Sequence, residues 1–496
     1  SHIASLVEDQ LAAITPEYLS MLSTTQIRAL TTEAVDLLSS DQISALRVDQ
    51  IRAMSTAQIQ AIATDDVEFL TGSQLNAMKT DQLGVLSPEQ IAGLVPAQML
   101  ELSTAFLRVL TSTQIRGIET GDFSSLTPLQ INSLGATNQI PALTSDQLAV
   151  LDMERVSALT TAQVAGLTTQ QVSELTATTL NYLSATQIVK LSTDQVRAIS
   201  AEAAFASLSG AEFIAKLTTG QVQSLTTSQI VAFNDSGQID SLSVNHIKAL
   251  TSAQIQAIET ADLIFLSPDK IAAFSTSQVR HLLVDQLAAL SADLAGSGDV
   301  LDQLGALSAG QLQSLTSTQL TGLASGDSSV QLAALKPTQV SSLTTTQLGW
   351  FTADLSWMTG SQVAALTQTL LKSLSTTVVD SLSTDQLQAL SPGQVAWLTT
   401  QQLREIDPDK LATLIDVQIA VLSQLQLASL TSNQVAALDV DTQIPALLTS
   451  QMASLATGFV AALTDAQIRA LDPSQIAAMG TAQIRAIETV DIVELV

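Results

Sequence analysis

The chain has no cysteine, only three histidines and few aromatic residues among its 496 residues. Without cysteine it has no disulfide framework and no thiolate nucleophile. Basic residues are also scarce, because 19 lysines and arginines stand against 46 acidic residues, which gives a net charge of −27. A field of that sign repels phosphate backbones, so we expect no nucleic-acid partner. No apolar run approaches the length of about 18 residues that a transmembrane helix needs.

Groups that carry chemistry are equally sparse. His2, His246 and His281 lie far apart, so no two of them share a zinc-binding spacing. The segment Gly296-Ser-Gly-Asp299 has no preceding strand and no third glycine, which makes a nucleotide loop a poor interpretation. We predict no catalytic residue, no enzymatic activity and no cofactor. A weak calcium site at Asp439, Asp441 and Asp299 is the alternative, although Asp439-Val-Asp441 lacks the twelve-residue calcium loop.

What the sequence has in abundance is an eight-residue repeat, [Ser/Thr]-x-x-Gln-[Ile/Val/Leu]-x-[Ala/Ser]-Leu, present in about sixty copies along the whole chain. Two good copies are Ser23–Leu30 and Thr464–Leu471. We number the positions of this octad as slots one to eight. In these two copies the recurrent slots one, four, five and eight are filled by Ser23, Gln26, Ile27 and Leu30, and by Thr464, Gln467, Ile468 and Leu471.

Each recurrent slot has a role in a short helix. A Ser or Thr followed three residues later by Gln is a capping box, and the apolar residues before the cap and in slot five form a hydrophobic staple. Nine of the eleven prolines occupy slot two, the first helical position, where a missing N–H costs nothing. These nine are Pro16, Pro88, Pro96, Pro128, Pro268, Pro337, Pro392, Pro408 and Pro473.

The octad therefore predicts an all-α superhelical solenoid in which each unit is a helix of about one and a half turns. Such helices are unstable alone, so slots five and eight of many units must share one core. The small residue in slot seven lets neighbouring coils approach. The alternative is a β-helix-like solenoid, since Thr, Val and Ile favour strands. Against it, slots five and eight are three residues apart, and Gln, Ala and Leu form helices. The number of octads in one superhelical turn does not follow from the repeat.

We expect residues 1–496 to form a single continuous solenoid, excerpted from a longer protein, with loops or hinges near 291–307 and 324–335. The second of these holds Ser325-Gly-Asp-Ser-Ser329. Nine-residue copies occur at 135–143, 200–208, 209–217, 234–242 and 439–447. Pro141 and Pro445 both lie in such copies, which suggests one recurring corner geometry.

Three variations stand out against the octad. His246 occupies the Gln slot, so we predict that it substitutes in the cap. Trp350, Trp357 and Trp397 are expected to fill a locally wider core. A Glu-Thr-x-Asp variant begins at Glu119, Glu259 and Glu488 and marks a possible higher-order register.

The acidic, cysteine-free, Ser/Thr-rich array with its motif Leu-Thr-x-x-Gln-Ile-x-Ala resembles the repetitive regions of large bacterial surface exoproteins, such as adhesins, biofilm-matrix proteins and surface layers. The resemblance is one of composition and architecture over the whole chain. It implies an extracellular structural scaffold, as an adhesin stalk, filament or surface-layer component, that associates with itself or with neighbouring repeats. The alternative is a binding module that presents a periodic Thr/Gln surface to a polysaccharide, to a cell surface, to ice or to another copy.

Overall fold

The computed structural model describes residue 3 and residues 6–233, 236–290, 302–323, 332–351 and 355–487, with the side chain of Ser236 left aside. These residues form α-helices and short 3₁₀ helices, and no strand occurs among them. The all-α solenoid of very short helices is thereby confirmed, and the β-helix alternative is wrong for this part of the chain. The chain divides into two compact halves, an N-terminal half, Ser1–Ala257, and a C-terminal half, Ile258–Val496, and each is described by itself. The word unit is kept for one copy of the repeat. A single continuous solenoid over 1–496 stays a prediction.

The N-terminal half is a succession of short helices, almost one per octad. Its α-helices are Glu8–Ala12, Pro16–Met21, Thr24–Arg28, Thr32–Asp36, Ser40–Ala45, Val48–Ala53, Thr56–Gln60, Gly72–Ala77, Thr80–Leu83, Pro88–Ala92, Pro96–Glu101, Thr104–Val109, Ser112–Gly117, Thr120–Phe123, Pro128–Asn132, Ser145–Ala149, Met153–Ala158, Thr161–Gly166, Thr169–Glu174, Ala177–Asn181, Ala185–Ile188, Thr193–Ala198, Thr219–Ser224, Thr227–Val231, Ser236–Asp240, Val244–Ala249 and Ser252–Ala257. Its 3₁₀ helices are Thr64–Phe69, Ile140–Ala142, Phe205–Ser207 and Ile214–Lys216.

The C-terminal half has the same construction. Its α-helices are Thr260–Leu263, Pro268–Ala272, Thr276–Val279, Val284–Ala289, Ala309–Ser314, Ser317–Leu323, Pro337–Ser342, Thr345–Leu348, Gly360–Ala364, Gln368–Ser373, Thr376–Ser381, Thr384–Ala389, Pro392–Trp397, Thr400–Glu405, Pro408–Leu411, Asp416–Ile419, Gln424–Ser429, Ser432–Ala437, Thr449–Met452, Thr457–Val460, Asp465–Arg469, Pro473–Ala478 and Thr481–Ile484, and a 3₁₀ helix covers Leu304–Ala306.

The capping box forms as the octad predicts. The Ser23 hydroxyl accepts from the backbone N–H of Gln26 at 3.3 Å, and the Gln26 Oε1 accepts from the backbone N–H of Ser23 at 2.9 Å. Thr464 and Gln467 make the same reciprocal pair at 3.3 and 2.9 Å. Each unit therefore satisfies its own first-turn donors, which lets a helix begin anew every eight residues. The nine slot-two prolines all lie in the first turn of a helix, as predicted.

The core of each unit consists of slots five and eight. Ile27 and Ile468 in slot five are 0% and 1% exposed, and Leu30 and Leu471 in slot eight are 5% and 6% exposed. The same two slots are buried in unit after unit, with Leu, Ile and Val as the usual side chains. The predicted shared core is confirmed.

Slot seven lies against the first turn of the unit three octads away. A Cβ added at Gly166, in slot seven, would overlap with the backbone carbonyl of Ala136, in slot two of the earlier unit. A Cβ at Gly117 would come to 3.0 Å from the backbone carbonyl oxygen of Pro88 in the same relation. At these two positions the small residue predicted for slot seven is required by the close approach of successive coils.

Nine-residue copies absorb their extra residue in one widened turn. The backbone N–H groups of Ile140, Phe205, Ile214 and Ile444 donate to the carbonyl five residues earlier, at 2.8 to 3.1 Å, where ordinary copies bond four residues back. Pro141 and Pro445 each follow this turn directly. The recurring corner geometry predicted for these two prolines is confirmed, and it is shared by copies that contain no proline.

Several predicted features lie outside the described residues, namely His2, Gly296–Asp299, Ser325–Ser329 and the Glu-Thr-x-Asp copy at 488–491. One shortened copy was not predicted. Thr352–Met358 has seven residues, and its Leu355 and Met358 are 0% and 4% exposed, as slots five and eight are elsewhere.

Candidate functional site: the glutamine ladder

The slot-four glutamine does more than close the capping box. Gln58 is 2% exposed, and its Oε1 accepts from the backbone N–H of Ser55 at 2.9 Å. Its Nε2 donates to the backbone carbonyls of Ile27 and Leu30, both at 2.9 Å. These two carbonyls belong to slots five and eight of the unit four octads earlier. One side chain thus caps its own helix and satisfies the C-terminal carbonyls of another.

The same bond from Nε2 to the previous coil recurs along both halves of the chain, and we name the whole set the glutamine ladder. Its rungs in the N-terminal half are Gln42, Gln50, Gln58, Gln74, Gln82, Gln90, Gln98, Gln114, Gln130, Gln139, Gln147, Gln163, Gln171, Gln187, Gln195, Gln221, Gln229, Gln238 and Gln254. Rungs of the C-terminal half include Gln303, Gln311, Gln319, Gln339, Gln347, Gln362, Gln386, Gln394, Gln402, Gln418, Gln426, Gln434, Gln443, Gln451, Gln467, Gln475 and Gln483.

The ladder gives the geometry of the superhelix that the repeat alone could not. Each rung reaches the fourth unit before its own, whereas the helices pack on the third, as Gly166 does on Ala136. One superhelical turn therefore takes between three and four octads. The octad predicts the caps, but this second bond was not predicted from the sequence.

The separation between a rung glutamine and its acceptor is constant in number of units, but not in number of residues. Gln303 lies 40 residues after its acceptor Leu263, because the intervening segment 291–307 is long, yet Leu263 still belongs to the fourth unit back. Gln339 lies 35 residues after Leu304, across the long segment 324–335, and obeys the same rule. The predicted interruptions therefore leave the order of the rungs intact.

Other donors can occupy slot four. The Arg155 Nε donates to the carbonyl of Leu126 at 2.6 Å, and the Lys410 Nζ donates to the carbonyl of Asp380. His246 is 5% exposed, and its Nδ1 accepts from the backbone N–H of Ser243 at 3.3 Å. The prediction that His246 substitutes in the cap is confirmed.

Carboxylates in slot four offer no N–H to the previous coil, and neither do the buried apolar side chains found there, such as Phe106, Leu370 and Val378. Asp122 and Asp262, from the Glu-Thr-x-Asp copies, are 7% and 5% exposed. Burial, together with the nearby charge of Glu119, raises the pKa of Asp122 above its usual value. Burial and the neighbouring carboxylates of Asp65 and Asp36 raise the pKa of Asp66 in the same way.

The calcium candidates serve the fold of their own turn. The Asp439 Oδ1 accepts from the Thr442 hydroxyl at 2.6 Å and from the backbone N–H groups of Thr442 and Asp441 at 2.8 and 3.1 Å. These bonds, led by that of the Thr442 hydroxyl, lower the pKa of Asp439. Asp439 and Asp441 border a groove of about 730 Å³, while Asp299 lies outside the described residues. Within the described ranges, no group of three or more acidic or histidine side chains is placed to hold a metal ion.

The tryptophans occupy slot seven or its equivalent in a short copy. Trp350, Trp357 and Trp397 are half-buried, and neighbouring Phe351 is 8% exposed. The rings of Phe351 and Trp357 have centroids 5.2 Å apart. These side chains thus lie at the edge of the core, outside slots five and eight. In the described part of the chain no helix is long and apolar enough to span a bilayer.

Comparison with known proteins adds a family likeness to this geometry. No curated protein matches the chain. Among solved structures, a homology model of the full-length AP-3 complex in an intermediate open conformation is 12% identical, with a TM-score of 0.17, over 99% of this chain and 92% of that one. An engineered protein solved by crystallography is 14% identical, with a TM-score of 0.14, over 97% and 98%. At such TM-scores neither likeness carries an argument.

The model of the ALTTAQ repeat matches seven segments, at residues 11–48, 48–80, 60–96, 115–153, 255–292, 371–400 and 460–495. These segments lie in both halves of the chain and contain rungs of the ladder. The chain is therefore a repeat protein whose segments are similar to the ALTTAQ repeat.

Proposed function

We propose that the chain is a non-enzymatic structural scaffold, exported by a bacterium and used outside the cell as part of a stalk, filament or surface layer. The observation that supports this most is the ladder itself. Every recurrent residue of the octad is used to build the coil: slot one in the cap, slot four in the cap and ladder, slots five and eight in the core. The recurrent pattern thus specifies a structure, and the variable slots remain on the outside.

The ladder also suits a protein that bears load. Each rung bonds one coil to the previous one with its carbonyl acceptors in buried positions, as at Gln58 with Ile27 and Leu30. Buried hydrogen bonds cost more to break than exposed ones, because the freed groups do not meet water at once. Coils held in this way should open one after another, as neighbour contacts do in other repeat arrays.

The alternative, a binding module with a periodic Thr/Gln surface, has less support. The rung glutamines are buried, and the slot-one threonines are used in caps. Of the slot-two threonines named by the repeat, Thr32 is exposed, whereas Thr24 and Thr161 are half-buried. A regular threonine face would need all of them on the outside.

Two measurements test the scaffold proposal. In the first, an epitope-tagged protein in its source bacterium is labelled with antibody on intact cells. We expect surface labelling, and labelling only after lysis would contradict an extracellular role.

The second measurement is single-molecule stretching of the purified chain. We expect a series of similar steps, each releasing one coil of about 29 residues, or close to 100 Å of extended chain. A variant with methionine at Gln386, Gln394 and Gln402 should open first at that site and at lower force. Opening of the whole chain in a single event would argue against a load-bearing array of coils.

A further inference from the structure

The ladder has a gap in the N-terminal half of the chain, at the consecutive nine-residue copies 200–208 and 209–217. Their ladder positions hold Ala204 and Phe213, which are 1% and 0% exposed. In the described part of the chain, no side-chain amide donates to the carbonyls of the core residues four units earlier. Those core residues are Val172, Leu175, Leu180 and Leu183.

The side chain of Asn181 joins this gap to the previous coil, and an aromatic contact joins it to the following one. The rings of Phe205 and Phe233 have centroids 5.7 Å apart. The Asn181 Oδ1 accepts from the backbone N–H of Ser209 at 2.9 Å. Two neighbouring units therefore rest on the previous coil without a rung.

The unit that follows this gap, four octads on, carries its rung on an imidazole. The Nδ1 of His246 accepts from the backbone N–H of Ser243, and the ring also hydrogen-bonds to the backbone of Leu217, in the copy 209–217. Because the Leu217 group is a carbonyl in slot eight, the bond requires an N–H at Nε2. The rung thus depends on the neutral tautomer with its proton on Nε2.

A second proton would break this arrangement. It would enter at Nδ1, which faces the N–H of Ser243, so the cap bond would become a donor–donor contact. Burial lowers the pKa of His246 below its usual value, while the bond to Leu217 acts in the opposite direction. Of the charged groups nearby, the copy 209–217 contributes Glu212 and Lys216, helix Val244–Ala249 contributes Lys248, and helix Ser236–Asp240 ends with Asp240.

We propose that residues 200–233 and 236–250 form an acid-sensitive seam, in which protonation of His246 breaks its cap bond to Ser243 and places a buried charge on the rung that rests on residues 209–217, so that the coil opens there first. The sign follows from the lowered pKa. The unfolded chain takes up the proton near pH 6.5, before the folded chain does, so the stabilisation is complete above that pH and is lost as the pH falls through the folded pKa. The seam holds at neutral pH and loosens in acid.

The test compares amide hydrogen exchange at pH 7.5 and pH 5.0, corrected for the intrinsic effect of pH on exchange, in the wild type and in His246→Gln. In the wild type we expect protection of 209–217 and 243–250 to fall by up to about tenfold for each pH unit between 6.5 and the folded pKa and to level off below it, while 39–98 is unchanged. His246→Gln restores the consensus rung and should abolish the fall. An equal fall in both proteins, or none in the wild type, overturns the proposal.

A second measurement holds even if the variant does not fold. Proton NMR follows the His246 imidazole from pH 8 to pH 4, in the folded protein and in urea, in a variant that keeps this histidine alone (His2→Gln with His281→Gln). We expect the folded ring to titrate at a lower pH than the ring in urea. Titration at the same pH in both states overturns the proposal.

Discussion

Residues 39–98 and residues 200–250 are built from the same octad, yet they hold successive coils together by different means. In 39–98, seven of eight units carry a glutamine rung, and the exception is the unit of Asp66. In 200–250, two units carry apolar side chains at the ladder position and a third carries His246. The core slots are buried in both regions. The core alone therefore does not define the ladder, which is a separate layer of polar contacts over a common apolar interior.

The difference shows what each layer specifies. An apolar contact tolerates sliding, whereas a rung that accepts from one N–H and donates to two carbonyls has a single register. The two copies without rungs in 200–217 are nine-residue copies with a widened first turn, whereas the nine-residue copies at 135–143 and 439–447 keep their rungs. We infer that the ladder fixes the order of the coils, while the core supplies most of the stabilisation.

The largest expected effect comes from removing one rung in the laddered region. Gln58→Met keeps the length of the side chain but leaves the N–H of Ser55 and the carbonyls of Ile27 and Leu30 without their side-chain partner. We expect a local loss of about 3 kcal/mol, since each buried group left unsatisfied costs about 1–3 kcal/mol. Hydrogen exchange of residues 23–30 and 55–62 measures it. Gln60→Met, two residues away and exposed, is the matched control, and equal effects in both would show that the rung has no special role.

The close approach of coils is tested with two glycines. Gly166→Ala places a methyl group against the Ala136 carbonyl, so we expect destabilisation of about 2 kcal/mol. Gly220→Ala meets nothing within 4 Å and should stabilise its helix by about 0.5–1 kcal/mol. Urea unfolding followed by circular dichroism compares the two variants. Effects of the same sign would contradict the contact between slots seven and two.

Converting an acidic copy into a regular one should sharpen the contrast further. Asp122→Gln removes a buried carboxylate and supplies an amide, so we expect stabilisation of about 1.5 kcal/mol at pH 7. Because the pKa of Asp122 is raised in the folded chain, its protonated form is the favoured one. The penalty is absent below the unfolded pKa near 4 and grows as pH rises through the folded pKa. The advantage of the variant should therefore shrink towards pH 4 in thermal melts. Asp146→Asn, on an exposed carboxylate, is the matched control, and an equal dependence on pH in both variants would show that the burial of Asp122 has no special role.

The smallest effect is expected at a cap. Ser23→Ala removes the hydroxyl that accepts from the N–H of Gln26, at a local cost of about 1 kcal/mol. Thr25→Ala, in the same helix and exposed, should change stability by a few tenths of that. Exchange rates of the amides of residues 24–28 distinguish them, and a larger effect at Thr25 would mean that the cap is assigned to the wrong residue.

The helices, caps and core were predictable because their causes are local. Ser23 and Gln26 are three residues apart, and Ile27 and Leu30 lie on one face of one turn. The ladder was not predicted, because its partners are about 30 residues apart and meet only after the coil closes. A signal for it is nevertheless present in the sequence: a capping box accepts Glu or Gln at the third position, yet no regular octad has Glu in slot four. An amide both accepts from the cap and donates to the previous coil, which a carboxylate cannot do.

The calcium hypothesis depended on spacing alone and could not show that Asp439 is used within its own turn. The seven-residue copy at 352–358 was overlooked for a different reason. It lacks both the glutamine and the full octad length, so only the burial of Leu355 and Met358 identifies it.

Each rung glutamine bonds to the fourth unit back whatever the lengths of the units between them. The length of any one unit can therefore change without changing the partners of the rungs. The acceptors of Gln303 and Gln339 are those of the fourth unit back even though segments of 17 and 12 residues intervene. A foreign peptide inserted into one unit would therefore leave the other rungs in place, and whole units could be added or deleted without redesign of their neighbours. For an engineer, each unit junction is a potential site for a guest sequence. For a lineage of such proteins, insertions and duplications are changes that selection can accept one at a time.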